Sequence, residues 1–213
     1  MYRITASRFG EVHKKIKSLN RQRGKGKVKV ASLVMSFVEP AKLDNVPAVE
    51  WGKTHEVDAS ESFMQNEGKK HNLPKLLSCG LFIYKPHPYM EATPDSIFMC
   101  TCCTKSCVPY KCPYSIRGED ITLSWQKTQF LEFNENQIRL KRTHKYFDQI
   151  LGQMAITGCT QTYFVVWTGK GLPLIEKIVF AQDHWDKIRS SVILFFKTFL
   201  QNVLDLKVYI LAQ

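Results

Sequence analysis

Two residue types that serve phosphate chemistry, a carboxylate and a lysine, lie close to a short apolar stretch of the chain. Asp95 follows Pro94, and Lys111 ends the segment "CVPYK" that starts at Cys107. Carboxylate oxygens suit hard cations such as Mg²⁺, and a lysine beside them can stabilise negative charge that develops on a phosphate. This layout is typical of a metal-dependent nuclease strand, which normally carries an acid two residues before the lysine. Here that residue is Pro109.

Each of these residues also has an ordinary explanation. Pro-Asp is a common turn dipeptide, and a single lysine is most often solvated. Glu56 is a further candidate because helical spacing places it on one face with Val49, Ala59 and Phe63. A carboxylate on a buried face needs a metal or a cationic side chain as a partner, whereas a rotated helix would leave Glu56 in solvent. The spacing alone leaves both alternatives open.

Cysteines are concentrated in one short segment. Five of the seven fall between Cys100 and Cys112. A zinc site needs four nitrogen or sulfur ligands, usually in separated pairs, and the side chains of a short hairpin point to opposite faces. The sequence therefore favours reduced thiols over zinc. The start of the chain shows no export signal, which predicts an intracellular, reducing compartment and is compatible with the nucleus.

Positive charge dominates the composition, with a formal net charge of +11. Such a balance favours a polyanionic partner, nucleic acid first and an anionic membrane surface second; a generally basic surface is the alternative. No apolar run approaches the roughly 20 residues of a membrane span, so we expect no membrane insertion. The basic residues form two runs, 14–29 and 139–145, and predict DNA binding through phosphates, largely independent of base sequence.

The elements that must position these residues follow from periodicity and from turn signals. Helical spacing predicts a helix capped by Thr5 or Ser7, a short helix "ASLVMSFV" ended by Pro40, and a longer one starting near Val46–Pro47. Two more helices are predicted, one capped by Thr143 and stopped by Gly158, the other capped by Asp183. A basic, glycine-containing loop over residues 20–29 is predicted to be mobile.

Runs of β-type residues alternate with these helices. "LLSCGLFIYK" and "SIFMC" predict strands flanking "PHPYMEATPD", and "CVPYKC" predicts a third; Pro109 is expected to bend it, since proline disrupts strand pairing. Two hairpins are predicted, "QFLEF" with "QIRLK" and "QTYFVVWT" with "LPLIEKIVF". The pattern is that of an α/β (α+β) protein, with one domain over residues 1–207 and a tail over 208–213.

Five motifs occur in a fixed order: "RITAS", "WG" followed by Glu56, "ATPDS", "YKCPYS" and "HKYFDQILGQMAITG". In order and spacing they resemble the YqaJ-like viral recombinase family, which is similar to phage lambda exonuclease and belongs to the PD-(D/E)XK nuclease superfamily. The resemblance covers Arg3 to about Phe199. It implies a restriction-endonuclease-like core with a mixed sheet, and a 5′-to-3′ exonuclease that acts on ends of linear duplex DNA in recombination or repair. A ring-shaped oligomer is implied by the same resemblance alone.

The resemblance also implies roles for particular residues. Mg²⁺ or Mn²⁺ would be bound, weakly, by Asp95, Glu56 and the backbone carbonyl of Tyr110. Lys111 would orient the attacking water. Two glutamines one helical turn apart, Gln149 and Gln153, would complete the catalytic set. The family motifs, a helix start that favours anions and the basic runs together predict contacts with phosphate and DNA. The residues expected to make them are Arg3, Ser7, Arg8, Thr93, Arg139, Lys141 and Arg142.

The chain departs from the family pattern at three positions. Aligned without gaps, the family's Glu-X-Lys falls on Pro109-Tyr110-Lys111, Leu151 stands where a further glutamine is frequent, and Ala181 stands where an acid is usual. Another acid could replace the lost one. The candidates are Glu119, Asp120 and Glu132, with Glu132 preferred because it lies on a predicted strand. The sequence therefore predicts a nuclease fold with impaired cleavage, or alternatively a catalytically dead module that binds DNA or a partner.

Overall fold

A computed structural model describes residues 3–21, 30–40 and 46–203 of the chain. These residues form seven α-helices and eleven short strands in mixed arrangement, which confirms the predicted α+β class. Within the described ranges, no helix is long and apolar enough to cross a membrane. Most of the basic loop 20–29 and all of the predicted tail 208–213 lie outside the described residues.

The first helices follow the predicted apolar spacing. Helix α1 spans Phe9–Arg21 after a 3₁₀ turn at Ala6–Arg8, and it buries Phe9, Val12 and Ile16. Helix α2 spans Ala31–Val38, as predicted. The helix predicted from Val46–Pro47 onward is instead two helices, α3 (Pro47–Thr54) and α4 (Glu56–Asn66).

The break between α3 and α4 lies at His55, whose φ of −100° and ψ of 10° depart from helical values. Its ring packs against two tryptophans, with centroid separations of 3.8 Å to Trp51 and 5.2 Å to Trp167. The packing of this ring accompanies the change of direction, and Glu56 becomes the first residue of α4 rather than a mid-helix residue.

A mixed sheet forms the centre of the molecule. Its strand order is β11-β10-β6-β5-β2, and β7 also pairs with β10. Pairing with β10 is parallel for β6 and β7, and the other neighbours are antiparallel. The strands are β2 (Lys75–Ser78), β5 (Ser96–Met99), β6 (Ser106–Cys107), β7 (Tyr110–Lys111), β10 (Gln161–Val166) and β11 (Leu174–Val179).

Two smaller sheets complete the strands. One has the order β1-β4-β3, and the other is the hairpin β8-β9. The segment "LLSCGLFIYK", predicted as one strand, is divided at Cys79–Leu81 between β2 and β3, which belong to different sheets, and β4 lies in the predicted connection "PHPYMEATPD". The bounds are β1 (Ile4–Thr5), β3 (Phe82–Ile83), β4 (Met90–Ala92), β8 (Leu131–Asn134) and β9 (Gln137–Leu140).

The remaining helices differ from prediction at their starts. Helix α5 is short (Ile121–Ser124). Helix α6 (Lys145–Thr157) is capped by His144, whose Nδ1 accepts a hydrogen bond from the amide of Tyr146 at 3.2 Å, not by Thr143. It ends at Gly158 with a φ of 71°, as predicted. Helix α7 (Gln182–Phe195) starts after Ala181 without a side-chain cap, so the cap predicted at Asp183 is wrong.

Buried apolar side chains form two clusters, separated by the central sheet. The larger one joins α1, α6 and α7. The smaller one lies under α4 and contains Phe63, Phe98, Tyr110 and Tyr163. Alternation along the strand containing β6 and β7 accounts for the division, because Val108 and Tyr110 belong to the smaller cluster and Cys107 to the larger one.

Candidate functional site

Asp95 immediately precedes β5 and its carboxylate reaches the neighbouring strand. Oδ2 of Asp95 accepts a hydrogen bond from the amide of Tyr110 at 2.8 Å. The antiparallel register of β5 and β6 pairs Ile97 with Cys107, and it continues to Ser96, whose carbonyl accepts from the amide of Val108 at 2.9 Å. One further step in this register brings Asp95 opposite Pro109. Directly opposite residues share a face of the sheet, so the side chain at position 109 neighbours that of Asp95.

Pro109 interrupts the pairing of this strand without shifting its register. The partners of β10 are offset by the same number of residues on both sides of the interruption, with Thr162 opposite Cys107 and Val165 opposite Tyr110. The carbonyl of Pro109 still accepts from the amide of Val165 at 3.0 Å. Proline has no N–H to donate in return. The strand therefore loses a donor, and no residue is inserted.

Lys111 lies two residues further along the same face as position 109. Its Nζ is 4.7 Å from the centroid of the Tyr146 ring on α6, a cation–π contact that positions the ammonium group. Burial raises the pKa of the Asp95 and Glu56 carboxyls, and the positive charge of Lys111 partly offsets that effect at each of them. Sequence reasoning did not single out Tyr146, because the contact joins residues far apart in the chain.

Glu56 reaches this site from the first turn of α4. Burial, and next the negative charge of Asp95, raise the pKa of its carboxyl, with Lys111 acting in the opposite direction. Burial also raises the pKa of Asp95, against the effects of Lys111 and of the Tyr110 amide. Taken as a whole residue, Glu56 is nevertheless exposed to solvent. Glu56 is thus a carboxylate at the rim of the site, and the three residues predicted by motif lie within electrostatic reach of one another.

Gln153 brings a buried polar group to the segment that precedes Asp95. Its side chain is 1% exposed, and its Nε2 lies 3.5 Å from the carbonyl oxygen of Thr93. Its Oε1 is buried without a hydrogen-bond partner. Gln149 is partly buried one turn earlier, whereas Leu151 is fully buried in the apolar core. A buried, unpaired oxygen calls for a partner, either a water that donates to it or a cation that it coordinates.

The donors at this site fit a hard divalent cation. Asp95 and Glu56 supply carboxylate oxygens, and the raised pKa values reflect a cost of ionising them that a nearby cation would relieve. The carbonyl of Tyr110 points to the same strand edge as its amide, which is the edge occupied by Asp95. Position 109 contributes no oxygen ligand from its side chain.

The three acids considered as replacements are engaged elsewhere. Glu119 forms an ion pair with Lys127 at 2.6 Å. Asp120 caps α5 by accepting from the amide of Thr122. Glu132 lies on the β8-β9 hairpin, 3.9 Å from the guanidinium of Arg139.

A cleft of about 980 Å³ opens between α1 and the start of α6. Basic residues from both charged runs line it, which neither run alone would indicate. Ser7 also lines this cleft, and an ion pair between Asp148 and His184 at 2.7 Å forms part of its wall. His144 connects the cleft to the site, since it lines the cleft and its ring lies 4.6 Å from that of Tyr146, the ring over which Lys111 is placed. The basic residues of the cleft are Lys14, Lys17, Arg21, Arg142 and Lys145.

Several of the predicted DNA contacts have partners within the protein. Arg8 stacks over the Phe37 ring at 3.6 Å and donates to the carbonyl of Ser36. Arg142 lines the cleft and also pairs with Glu176 at 2.6 Å. The remaining basic residues among the predicted DNA contacts also have partners. Arg3 pairs with Glu91, and Arg139 pairs with Glu135. Lys141 donates to the carbonyl of Gln129.

The fold is shared with exonucleases of known structure. An alkaline exonuclease from Laribacter hongkongensis, LHK-Exo, superposes with a TM-score of 0.66 at 18% identity, over 99% of this chain and 94% of that one. A phage-related exonuclease from Haemophilus somnus 129PT gives a TM-score of 0.62 at 14% identity, over 96% of each chain. A structure of a SOX–DNA complex gives 0.54 at 9% identity, over 92% of this chain and 66% of that one.

These similarities confirm the predicted nuclease-type core. Residues 2–160 match the YqaJ-like viral recombinase domain. The chain therefore belongs to the YqaJ-like viral recombinase family. No curated protein sequence gives a significant match.

Proposed function

We propose that this protein binds the ends of linear duplex DNA as a recombination or repair exonuclease does, and that its phosphodiester hydrolysis is impaired at Pro109. One observation carries the proposal. Asp95, Glu56 and Lys111 lie within electrostatic reach of one another, yet the position opposite Asp95 is a proline. On this proposal the chain keeps a DNA-binding surface and most of the catalytic groups, and it lacks one carboxylate.

The chain's own residues suggest how hydrolysis would proceed. Asp95 and Glu56, with the carbonyl of Tyr110, would hold Mg²⁺ or Mn²⁺, and the bound ion would polarise the scissile phosphate and acidify the attacking water. Lys111, fixed over Tyr146, would orient that water and stabilise negative charge on the phosphate. Gln153 would use its unpaired Oε1 to position a water or a ligand near Thr93. Without a carboxylate at position 109, binding of the ion should be weak.

DNA is the proposed substrate for two reasons. The similar structures include exonucleases, one of them LHK-Exo in complex with dAMP, and a SOX–DNA complex. Independently, residues of the two basic runs line one cleft, and His144 on its wall contacts Tyr146, the ring beside Lys111. Phosphate contacts from such a cleft would bind duplex ends with little base preference. A ring around the duplex is the assembly that the family resemblance implies, and analytical ultracentrifugation of the purified chain would test it.

A second candidate function is a catalytically inactive module that binds DNA. The engagement of Glu119, Asp120 and Glu132 in other contacts favours it, since each of these acids already has a partner away from position 109. Both candidates share the DNA surface and differ in turnover.

The deciding experiment compares linear and circular duplex DNA of the same sequence. Binding is measured in Ca²⁺, and digestion in Mg²⁺ and in Mn²⁺, with a terminal label that reports polarity. We expect preferential binding of linear DNA and digestion that is slow or absent. Failure to bind DNA would overturn both functions, whereas rapid Mg²⁺-dependent digestion would show that Pro109 does not impair the site.

A further inference from the structure

Three cysteines and a histidine converge at the end of β5 and β6 that is remote from Asp95. They are His71, in the segment between α4 and β2, and Cys100, Cys102 and Cys103, in the loop between β5 and β6. One ligand atom from each lies within 4.8 Å of all the others. The loop cysteines alone lack a fourth ligand, and His71 supplies it from a different part of the chain.

The distances suit tetrahedral coordination. Nδ1 of His71 lies 3.6 Å from Sγ of Cys100, 3.5 Å from that of Cys102 and 3.6 Å from that of Cys103. Zinc bonds of about 2.3 Å to sulfur and about 2.0 Å to nitrogen give tetrahedral S–N edges of about 3.5 Å and S–S edges of about 3.8 Å. The Cys100–Cys102 separation of 3.5 Å is near the second value.

One separation is shorter than a tetrahedral edge. Sγ of Cys100 and Sγ of Cys103 are 2.7 Å apart, and both cysteines are free. This exceeds the S–S bond of a disulfide, about 2.05 Å, and a bound cation would widen it by about 1 Å. A Cys100–Cys103 disulfide is the competing state, and the experiment must distinguish it.

We propose that His71, Cys100, Cys102 and Cys103 bind a structural zinc ion. Three soft thiolates and an imidazole select zinc over Mg²⁺ or Ca²⁺, which prefer oxygen. Four protein ligands leave no open coordination position, so the ion has a structural role and no catalytic one. This inference is independent of the proposed DNA function.

Surrounding contacts orient the ligands in the way that zinc sites require. With Nδ1 of His71 directed at the thiols, its Nε2 faces Oε1 of Glu67 at 3.5 Å and the hydroxyl of Tyr163 at 3.4 Å. A carboxylate on the outer nitrogen fixes the tautomer and strengthens a histidine ligand. The amide of Asn72 also donates to Sγ of Cys102 at 3.4 Å, which would stabilise a thiolate.

The ion would join two segments that the pairing of β2 with β5 already brings side by side. Within this region Thr101 bonds to the carbonyl of Asn72 through both its amide and its hydroxyl. The His71 ring packs edge-on against Phe98 and Tyr163 of the smaller core cluster. Zinc at this point would therefore fix the loop between β5 and β6 to the segment before β2, and through His71 to the core under α4.

Zinc content of the purified chain tests the proposal directly. Protein expressed with added zinc and kept reduced should contain about one tightly held zinc per chain by plasma mass spectrometry. The double variant His71→Ala/Cys102→Ser should lose it, whereas Cys79→Ser, which removes a cysteine outside the cluster, should retain it. Co²⁺ added to the metal-free chain should give thiolate charge-transfer and tetrahedral d–d absorption bands, which supports the ligand set even if a variant fails to fold.

Chelation separates this ion from a catalytic one. In an Asp95→Ala background, a strong zinc chelator should still lower the midpoint of thermal unfolding by several degrees, since binding of ligand to the native state stabilises it. Three results would overturn the proposal: no zinc in the reduced wild-type chain, full zinc content in the double variant, or an intact mass that reveals a Cys100–Cys103 disulfide in place of metal. Loss of DNA binding would leave it unaffected.

Discussion

The amide of Tyr110 donates a 2.8 Å hydrogen bond to Oδ2 of Asp95. This bond holds the carboxylate against the strand that also carries Pro109 and Lys111. It favours the ionised form, yet burial prevails and the pKa of Asp95 is raised. The pKa of nearby Glu56 is raised by burial and then by Asp95 itself. Without a cation, the ionised pair therefore opposes folding at neutral pH.

Removing the charge of Asp95 should stabilise the metal-free protein. A carboxyl whose folded pKa lies above its unfolded value binds protons more strongly in the native state, so stability falls as pH rises through the raised pKa. Asp95→Asn removes that charge and keeps an acceptor for the Tyr110 amide. We expect about 1 kcal/mol of added stability at pH 7, or roughly 2–4 °C in the unfolding midpoint, measured by calorimetry in EDTA.

Two controls make this result specific. Asp183→Asn changes an exposed acid in the first turn of α7 and should leave the midpoint unchanged or slightly lower. At a pH below the ordinary carboxyl pKa, Asp95 is protonated in both the folded and the unfolded state, so wild type and Asp95→Asn should unfold at similar temperatures. A lower midpoint for Asp95→Asn at pH 7 would contradict the raised pKa.

Charge reversal in the cleft should weaken DNA binding and its salt dependence. Lys14→Glu/Lys17→Glu alters two exposed lysines that line the cleft. Each phosphate contact contributes about 0.9 to the slope of log K against log salt, so the slope should fall by roughly 2. Fluorescence anisotropy with labelled linear duplex at several salt concentrations measures it.

The matched control carries the same change of charge away from the cleft. Lys75→Glu/Lys85→Glu alters two exposed lysines, one on β2 and one after β3. Their effect should be limited to the weak, long-range influence of net charge. Equal losses from the two pairs would indicate that general basicity, and no particular surface, accounts for binding.

A glycine in α6 permits close packing against the start of the chain. A Cβ at Gly152 would lie 2.5 Å from Cδ2 of Phe9 and 3.3 Å from Cβ of Ala6. Phe9 is fully buried, so the ring has little freedom to move. Gly152→Ala should destabilise the protein by about 1–3 kcal/mol, despite the better helix propensity of alanine.

The comparison for this change is a helical glycine in open space. A Cβ at Gly52, in α3, would meet no atom within 4 Å. Gly52→Ala should therefore be neutral or stabilising by up to about 1 kcal/mol. Chemical denaturation measures both, and equal effects at the two positions would refute the packing argument.

Helices and turns were predicted correctly where residues close together in the chain determine them. The apolar spacing of Phe9, Val12 and Ile16 located α1, and Gly158 in left-handed conformation marked the end of α6. The turn "NEN" of the β8-β9 hairpin has positive φ at Glu135 and Asn136. Such features depend on nearest neighbours, so they can be read from a single sequence.

Long-range packing accounts for most of what was not predicted. The break at His55 accompanies ring packing against Trp167, a residue of a distant strand end. His71 was not recognised as a partner of the cysteines, because pairing of β2 with β5 brings it to Cys100. The motifs predicted that Asp95 and Lys111 would converge. They could not predict that Oε1 of Gln153 is buried without a partner, because that depends on side-chain geometry.

Restoring a carboxylate at position 109 should restore chemistry. Pro109→Glu places an acid opposite Asp95 and returns an amide donor on the edge that faces β10. Because removing one such electrostatic group typically costs about 10²–10³ in turnover, we expect digestion of linear duplex DNA in Mg²⁺ to rise by about 10² or more. Single-turnover digestion of an end-labelled duplex measures the rate.

Three further variants test the reason for that gain. Pro109→Gln returns the amide donor without the charge and should give little activity, so it separates strand repair from metal binding. Adding Asp95→Ala to Pro109→Glu should abolish the gain. The added acid also crowds three carboxylates together, so Pro109→Glu should unfold at a lower temperature in EDTA and recover in Mg²⁺. If Pro109→Glu folds and binds Mg²⁺ but gains no activity, the defect extends beyond position 109, and Leu151→Gln in the same background is the next change to test.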